Sequence, residues 1–149
     1  MNDAQSLFET ANRISAVADS EEELRTAAGL MRQAAELGHG AAAGAYANML
    51  MAGSGVSQST ELAIRYWSCA ALEHADADSA FRVGLVCRDG ALGAIDPAGA
   101  LAWFMIARDL GSDIVMPDID DIQFELDETT RTDAFERYDH LRASSAQLR

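Results

Sequence analysis

The chain matches itself when shifted by 37 residues. Under that offset Ala47 falls on Gly84, Leu50 on Cys87, Gly53 on Gly90 and Ala63 on Ala100. Tyr66 and Trp67 fall on Trp103 and Phe104, and Ala70 on Ala107. One offset therefore serves two helical segments and the turn between them. An earlier partial copy, AAGLMRQAAELGHG, puts Ala27, Leu30, Met31, Ala34 and Ala35 on the same template at an offset of 36. A period of this length is one helical hairpin. Such a unit cannot bury its apolar face alone and must stack on neighbours.

The physics of the unit is readable from its residues. In AGAYANMLMAGSGV, the positions Ala42, Tyr46, Ala47, Met49 and Leu50 recur at helical spacing and predict one buried stripe. The small residue, Ala47 in one copy and Gly84 in the next, is expected where another helix comes close. Gly53 and Gly55 stop the helix and permit positive φ in the turn. Val56 is the expected apolar plug beneath it. The second helix starts at Ser59 as N-cap, and in the next copy at Asp96 with Pro97 in the first helical position. Ala63, Tyr66, Trp67 and Ala70 then present aromatic knobs between small residues. These are expected to fill the space between successive hairpins. An aromatic ligand cage built from Tyr66, Trp67, Trp103 and Phe104 is the competing reading, and their place on a repeated stripe favours core.

The ends differ from the middle. DAQSLFETANRISAVAD predicts an amphipathic helix with Leu7, Phe8, Ala11, Ile14 and Val17 on its apolar face. Ser20 and Glu23 form a capping box for the next helix. VMPDIDDIQFEL predicts a short acidic helix begun at Pro117. The last helix is capped by Asp127 and turns Ala134, Phe135, Tyr138 and Leu141 inward. The expected fold is all-α, a right-handed α-solenoid of helical hairpins with about eight helices. It forms a single domain: N-terminal capping helices and a partial repeat over 1–38, two full repeats over 39–112, and acidic C-terminal capping helices over 113–149.

The stretch GAYANMLMAGSGVSQSTELAIRYWSCAALEH resembles the Sel-like repeats (the Sel-one type), relatives of the tetratricopeptide repeats. That family's unit looks like A-x-x-x-L-G-x-x-Y-x-x-G-x-G-V, then D-x-x-x-A-x-x-W-Y-x-x-A-A-x-x-G-H. Matching residues are Ala42, Gly53, Gly55, Val56, Ala63, Trp67, Ala70 and Ala71, with Gly38 and His39 from the preceding copy. The next copy matches at Gly84, Gly90, Asp96, Ala100, Trp103, Phe104 and Ala107. It departs where Cys87 replaces a tyrosine, where GALGAID lacks the G-x-G-V form, and where Arg108 replaces the second alanine. The resemblance covers residues 27 to 112. It implies protein binding, as a scaffold or adaptor whose first helices line a concave groove. Asn48, Met51, Arg82, Leu85 and Arg88 then face that groove, because they fall between the buried stripe positions. A second copy of the chain, or its own terminal helix, is the competing occupant.

Composition narrows the function classes. Asp plus Glu number 24 against 11 Lys plus Arg, a net charge of −13, and every basic residue is Arg. Such a chain repels phosphate backbones and anionic membrane surfaces, so neither nucleic acid nor membrane is the expected partner. The longest apolar stretch, Gly99 to Ala107, is far short of the ~20 residues of a span. The N-terminal segment has no basic region leading into an apolar run, so no signal peptide is expected and the chain reads as cytoplasmic. Cys69 and Cys87 are then expected reduced.

Chemistry is hard to find. His39, His74 and His140 show no HxxxH or HExxH spacing, and helix-end packing or capping explains the first two. Cys69 and Cys87 form no CxxC and read as small core residues. The cysteine pairing of exported members of the resembled family is missing here. PDIDDIQFELDE lacks the glycine of a calcium loop. The Gly53-Ser54-Gly55 turn is too little for a phosphate loop. The expectation is no cofactor, no metal, no catalytic residue and no enzyme. A hydrolase ranks third among the readings. The second reading is an immunity or antitoxin-type inhibitor of a basic bacterial toxin, because Sel-like proteins occur near secreted toxins. Its interface would be acidic: Asp113, Asp118, Asp120, Asp121, Glu125 and Glu128.

Overall fold

The computed structural model describes residues 3–113 and 116–148, with the side chains of 116–118 outside the description. Its described residues form eight α-helices and no strand. In chain order these are α1 (Ala4–Val17), α2 (Glu21–Glu36), α3 (Gly40–Ala52), α4 (Thr60–His74), α5 (Ala77–Asp89), α6 (Pro97–Asp109), α7 (Met116–Glu125) and α8 (Glu128–Ser144). The chain divides into two compact units, Met1–Cys69 and Ala70–Arg149.

Local chemistry sets the helix starts. Asp3, Ser20, Asp96 and Asp127 each cap a helix by accepting a backbone N–H with a side-chain oxygen. Ser59 does the same for α4, accepting from Leu62 N–H at 3.2 Å. At α2 the box is shifted by one residue: the Glu23 carboxylate reaches Asp19 N–H at 3.0 Å. That backbone hydrogen bond holds Glu23 below the ordinary carboxylate range. His39 is the surprise among the caps. Its Nδ1 accepts from Ala42 N–H at 3.1 Å at the start of α3, while Nε2 lies 2.8 Å from Gln5 Oε1. An accepting Nδ1 carries no proton, so Nε2 is the donor to Gln5. The ring also stacks on Phe8 at 4.4 Å.

In the first unit α1 packs on α2, and α2 on α3. The core is mostly alanine: Ala11, Ala27, Ala34, Ala42, Ala47 and Ala63 have no exposed surface. Small residues let helices approach closely, which is why an alanine-rich chain packs this way. Leu7 and Ala11 are buried as expected, but Val17 is 76% exposed because α1 ends there. Met49 is half-buried; Ala43 and Gly44 fill the face instead. The expected plug Val56 is also only half-buried. The residue that goes under the turn is Gly55, at φ +68, where a Cβ would collide with the Leu24 carbonyl. The missing side chain is itself the fit.

The second unit is organised around α6, which packs on α5, α7 and α8. Every residue from Ala98 to Ala107 is buried. A helix apolar all round, as PAGALAWFMIARD nearly is, has no face to give to water and so becomes the centre of its unit. Phe104 has no exposed surface and meets Phe81 with ring centroids 5.5 Å apart. A Cβ on Gly84 would overlap the Phe104 ring. On α8, Ala134 is buried, Tyr138 and Leu141 are half-buried, and Phe135 is 39% exposed.

The aromatic knobs close their own hairpins. Trp67 donates its indole N–H to Asn48 Oδ1 on α3 at 2.9 Å, and Tyr66 meets Tyr46 edge-on at 4.8 Å. Phe104 sits on Gly84 of α5 in the same manner. The sequence pattern placed Trp67, Trp103 and Phe104 in the core correctly, while Tyr66 is only half-buried; it did not give their partners, because periodicity reports a face and not what lies opposite it.

Candidate partner-binding surfaces

The residues expected to face a partner lie on two helices. Asn48 and Met51 are one turn apart on α3. Arg82, Leu85 and Arg88 run one turn apart along one face of α5. Met51, Arg82 and Leu85 are half-buried, whereas Asn48 and Arg88 are exposed. Their polar groups are partly engaged. Asn48 spends its carbonyl oxygen on Trp67. Arg82 is paired with Asp78 at 2.8 Å, and Arg88 with Asp89 at 2.9 Å. These are solvent-exposed pairs, which hold a side chain in place but add little stability.

The acidic set is outward-facing. Asp113, Asp120, Asp121, Glu125 and Glu128 are exposed, while the Asp118 side chain lies outside the described residues. Amid them Phe124 is 89% exposed. Ile119, five residues earlier, is buried, and five residues turn a helix about 140°, so Phe124 points nearly away from the core. Sequence periodicity could have flagged it, but the acidic surroundings drew attention to charge alone.

A third surface was not anticipated. A cleft of about 380 Å³ opens between α6 and α8. Its floor is apolar, from Ala102, Trp103 and Leu141, and Asp96, Asp133, Glu136 and Arg137 stand around it. Arg137 donates Nη1 to Asp96 at 2.8 Å, and Nε and Nη2 to Asp133 at 3.1 and 2.9 Å. The hydrogen bond to Asp133 raises the Arg137 pKa further, so its charge is permanent. Gly99 makes this possible: a Cβ there would run into the Asp96 carboxylate and come within 3.3 Å of Arg137 Nη1. The Cys87 thiol also lines the cleft, and burial, with the Asp96 charge adding to it, pushes it up to about 11. It is therefore a protonated lining group and not a nucleophile. On the other side of α8, the Tyr138 hydroxyl donates to Asp109, and burial followed by that contact raises its pKa.

No protein-family model and no curated protein sequence matches the chain. Solved structures do, two helical-repeat proteins among them. The crystal structure of c5321, a protective antigen present in uropathogenic Escherichia coli strains displaying an SLR fold, superposes with a TM-score of 0.82 at 22% identity over 97% of this chain. A Sel1 repeat protein from Oxalobacter formigenes superposes with a TM-score of 0.72 at 18% identity over 95% of it. The chain has the SLR fold, the helical-hairpin repeat architecture of Sel1 repeat proteins. It spans 31% of the length of c5321 and 59% of the Oxalobacter protein. No helix among the described residues is long and apolar enough to cross a membrane.

Proposed function

We propose that the chain is a protein-interaction module of the Sel1-repeat kind, a scaffold or adaptor that binds a protein partner through the outward faces of α3 and α5. The observation that carries this reading is the half-burial of Met51 and Leu85 between buried stripe positions on the first helices of the two hairpins. Apolar side chains held half in and half out of a helix face supply contact area at little ordering cost. Arg82 and Arg88, already oriented by Asp78 and Asp89, supply directional donors beside them.

The test is a photo-crosslinking amino acid placed at Met51 or Leu85, with the same group at exposed Val17 as the control. The reading expects one common adduct at the two helix faces and none at Val17. It also expects the Met51→Ala, Leu85→Ala double variant to lose at least about tenfold in affinity for that partner. Unchanged affinity in the double variant refutes the assignment of these faces.

A second reading has its own support. Exposed Asp113, Asp120, Asp121, Glu125 and Glu128 around exposed Phe124 suit a basic protein, as an inhibitor of a cationic toxin would need. Association there is expected to weaken steeply with salt, and Phe124→Ala to weaken it further. A flat salt response speaks against it.

A further inference from the structure

We infer that the cleft between α6 and α8 receives an arginine side chain from a protein partner. The inference rests on the scaffold reading and names one chemical element of what the scaffold recognises.

The charges around the cleft decide the sign of its occupant. Three carboxylates, Asp96, Asp133 and Glu136, face one guanidinium, Arg137, with the exposed imidazole of His140 beside them. Three of the five Arg137 N–H donors, on Nε, Nη1 and Nη2, are engaged by Asp96 and Asp133. An anionic group approaching Arg137 would meet the two carboxylates already paired with it. Glu136, by contrast, makes no ion pair among the described residues and is exposed at the rim. The cleft therefore offers a net negative rim with an uncommitted carboxylate, a place for a cation.

The floor decides which cation. The exposed edge of Trp103, which is 9% exposed, and half-buried Leu141 offer an apolar bed for a methylene chain. Trp103 also adds an aromatic ring, to which a guanidinium is better suited than a compact, strongly hydrated ammonium. A fork of N–H donors matches the Glu136 carboxylate. The volume, about 380 Å³, sits at the small end of the ~300–1,000 Å³ range of ligand pockets. That suits one long side chain better than a folded peptide.

The probe is N-acetyl-arginine amide, titrated into the full chain and followed by amide and indole chemical shifts. N-acetyl-citrulline amide is the neutral control of the same shape. Two variants separate the site from the general acidity of the chain: Glu136→Gln at the rim, and Glu125→Gln, which removes the same charge outside the cleft. The expected result is saturable shifts at Trp103 and along 133–141, absent with the citrulline compound. Glu136→Gln should weaken binding at least threefold, with Glu125→Gln within experimental error of the parent. Absent shifts, an equal response to citrulline, or equal loss in the two variants overturns the inference. None of those outcomes touches the crosslinks at Met51 and Leu85, so failure of the cleft is distinguishable from failure of the scaffold reading.

Discussion

The hairpins α3–α4 and α5–α6 use one backbone and two different sets of side chains. The backbone repeats bond by bond. Ser59 N–H donates to Leu50 O at 2.9 Å, and 37 positions on, Asp96 N–H donates to Cys87 O at 2.8 Å. Ser54 N–H to Met49 O corresponds to Ala91 N–H to Val86 O. Gly53 and Gly90 end their first helices at φ 69 and 71. The Ser59 cap of Leu62 N–H corresponds to the Asp96 cap of Gly99 N–H. Inside that frame the side chains differ. One hairpin has Ala47, Asn48 and Trp67, with the indole N–H satisfied by the asparagine. The equivalent residues of the other are Gly84, Leu85 and Phe104. That ring has no donor to satisfy, and it presses onto a glycine. If a ring, its partner and the small residue near it form one exchangeable unit, the three positions should couple energetically.

The turns show what happens where the match lapses. The G-x-G-V turn tucks Gly55 against the backbone of Leu24. GALGAID has no such form, and Leu92 and Ile95 are left 57% and 69% exposed. The frame tolerates the loss because the hydrogen bond that closes the turn, Asp96 N–H to Cys87 O, is still made.

The comparison can be broken or sharpened by substitution. Phe104→Ala should be the most costly, at about 3–5 kcal/mol, because it empties the centre of the second unit. Equilibrium denaturation measures it, and a loss under about 1 kcal/mol would mean that α6 is not that centre. Gly84→Ala should cost about 1–3 kcal/mol by forcing the Phe104 ring aside, even though alanine is the better helix former. A neutral or stabilising result would show that the close approach is not required. Ala75, at φ +57, stands in the αL position that Gly38 and Gly111 occupy after their own helices. Ala75→Gly should therefore leave stability unchanged or raise it, by up to about 1 kcal/mol, where a glycine in ordinary loop backbone would lower it.

A pH profile gives the smallest effect. Accepting the Thr130 N–H lowers the Asp127 pKa, so its contribution to folding is present above the ordinary carboxylate range and lost as pH falls through the lowered value. Asparagine caps without titrating. Tm against pH below that range should thus be flatter for Asp127→Asn than for the parent, and parallel curves would remove Asp127 from the account.

Much of this was legible in the sequence, and the reason is physical. Caps and turn glycines are local devices, so Ser20, Ser59, Asp96, Asp127, Gly53 and Gly90 could be read from their neighbours alone. The apolar run of α6 likewise announced burial. What periodicity does not carry is the partner across a contact. It could not say that Asn48 serves Trp67, nor that Arg137 on α8 reaches back 41 residues to Asp96. The cleft escaped notice for that reason: its walls come from segments far apart in sequence. The sequence predicts helix-end packing or capping for His39 at the end of α2; the ring instead caps the start of α3, because the two helices are separated by three residues.

The most direct test moves one hairpin's side-chain set into the other. The triple variant Ala47→Gly, Asn48→Leu, Trp67→Phe gives α3–α4 the side chains that α5–α6 uses. If the two hairpins are one frame with exchangeable side-chain sets, the triple should lose at least about 1 kcal/mol less than the sum of its three single variants, measured by denaturant unfolding. A loss equal to or greater than that sum would contradict the claim that the same hairpin has been built twice.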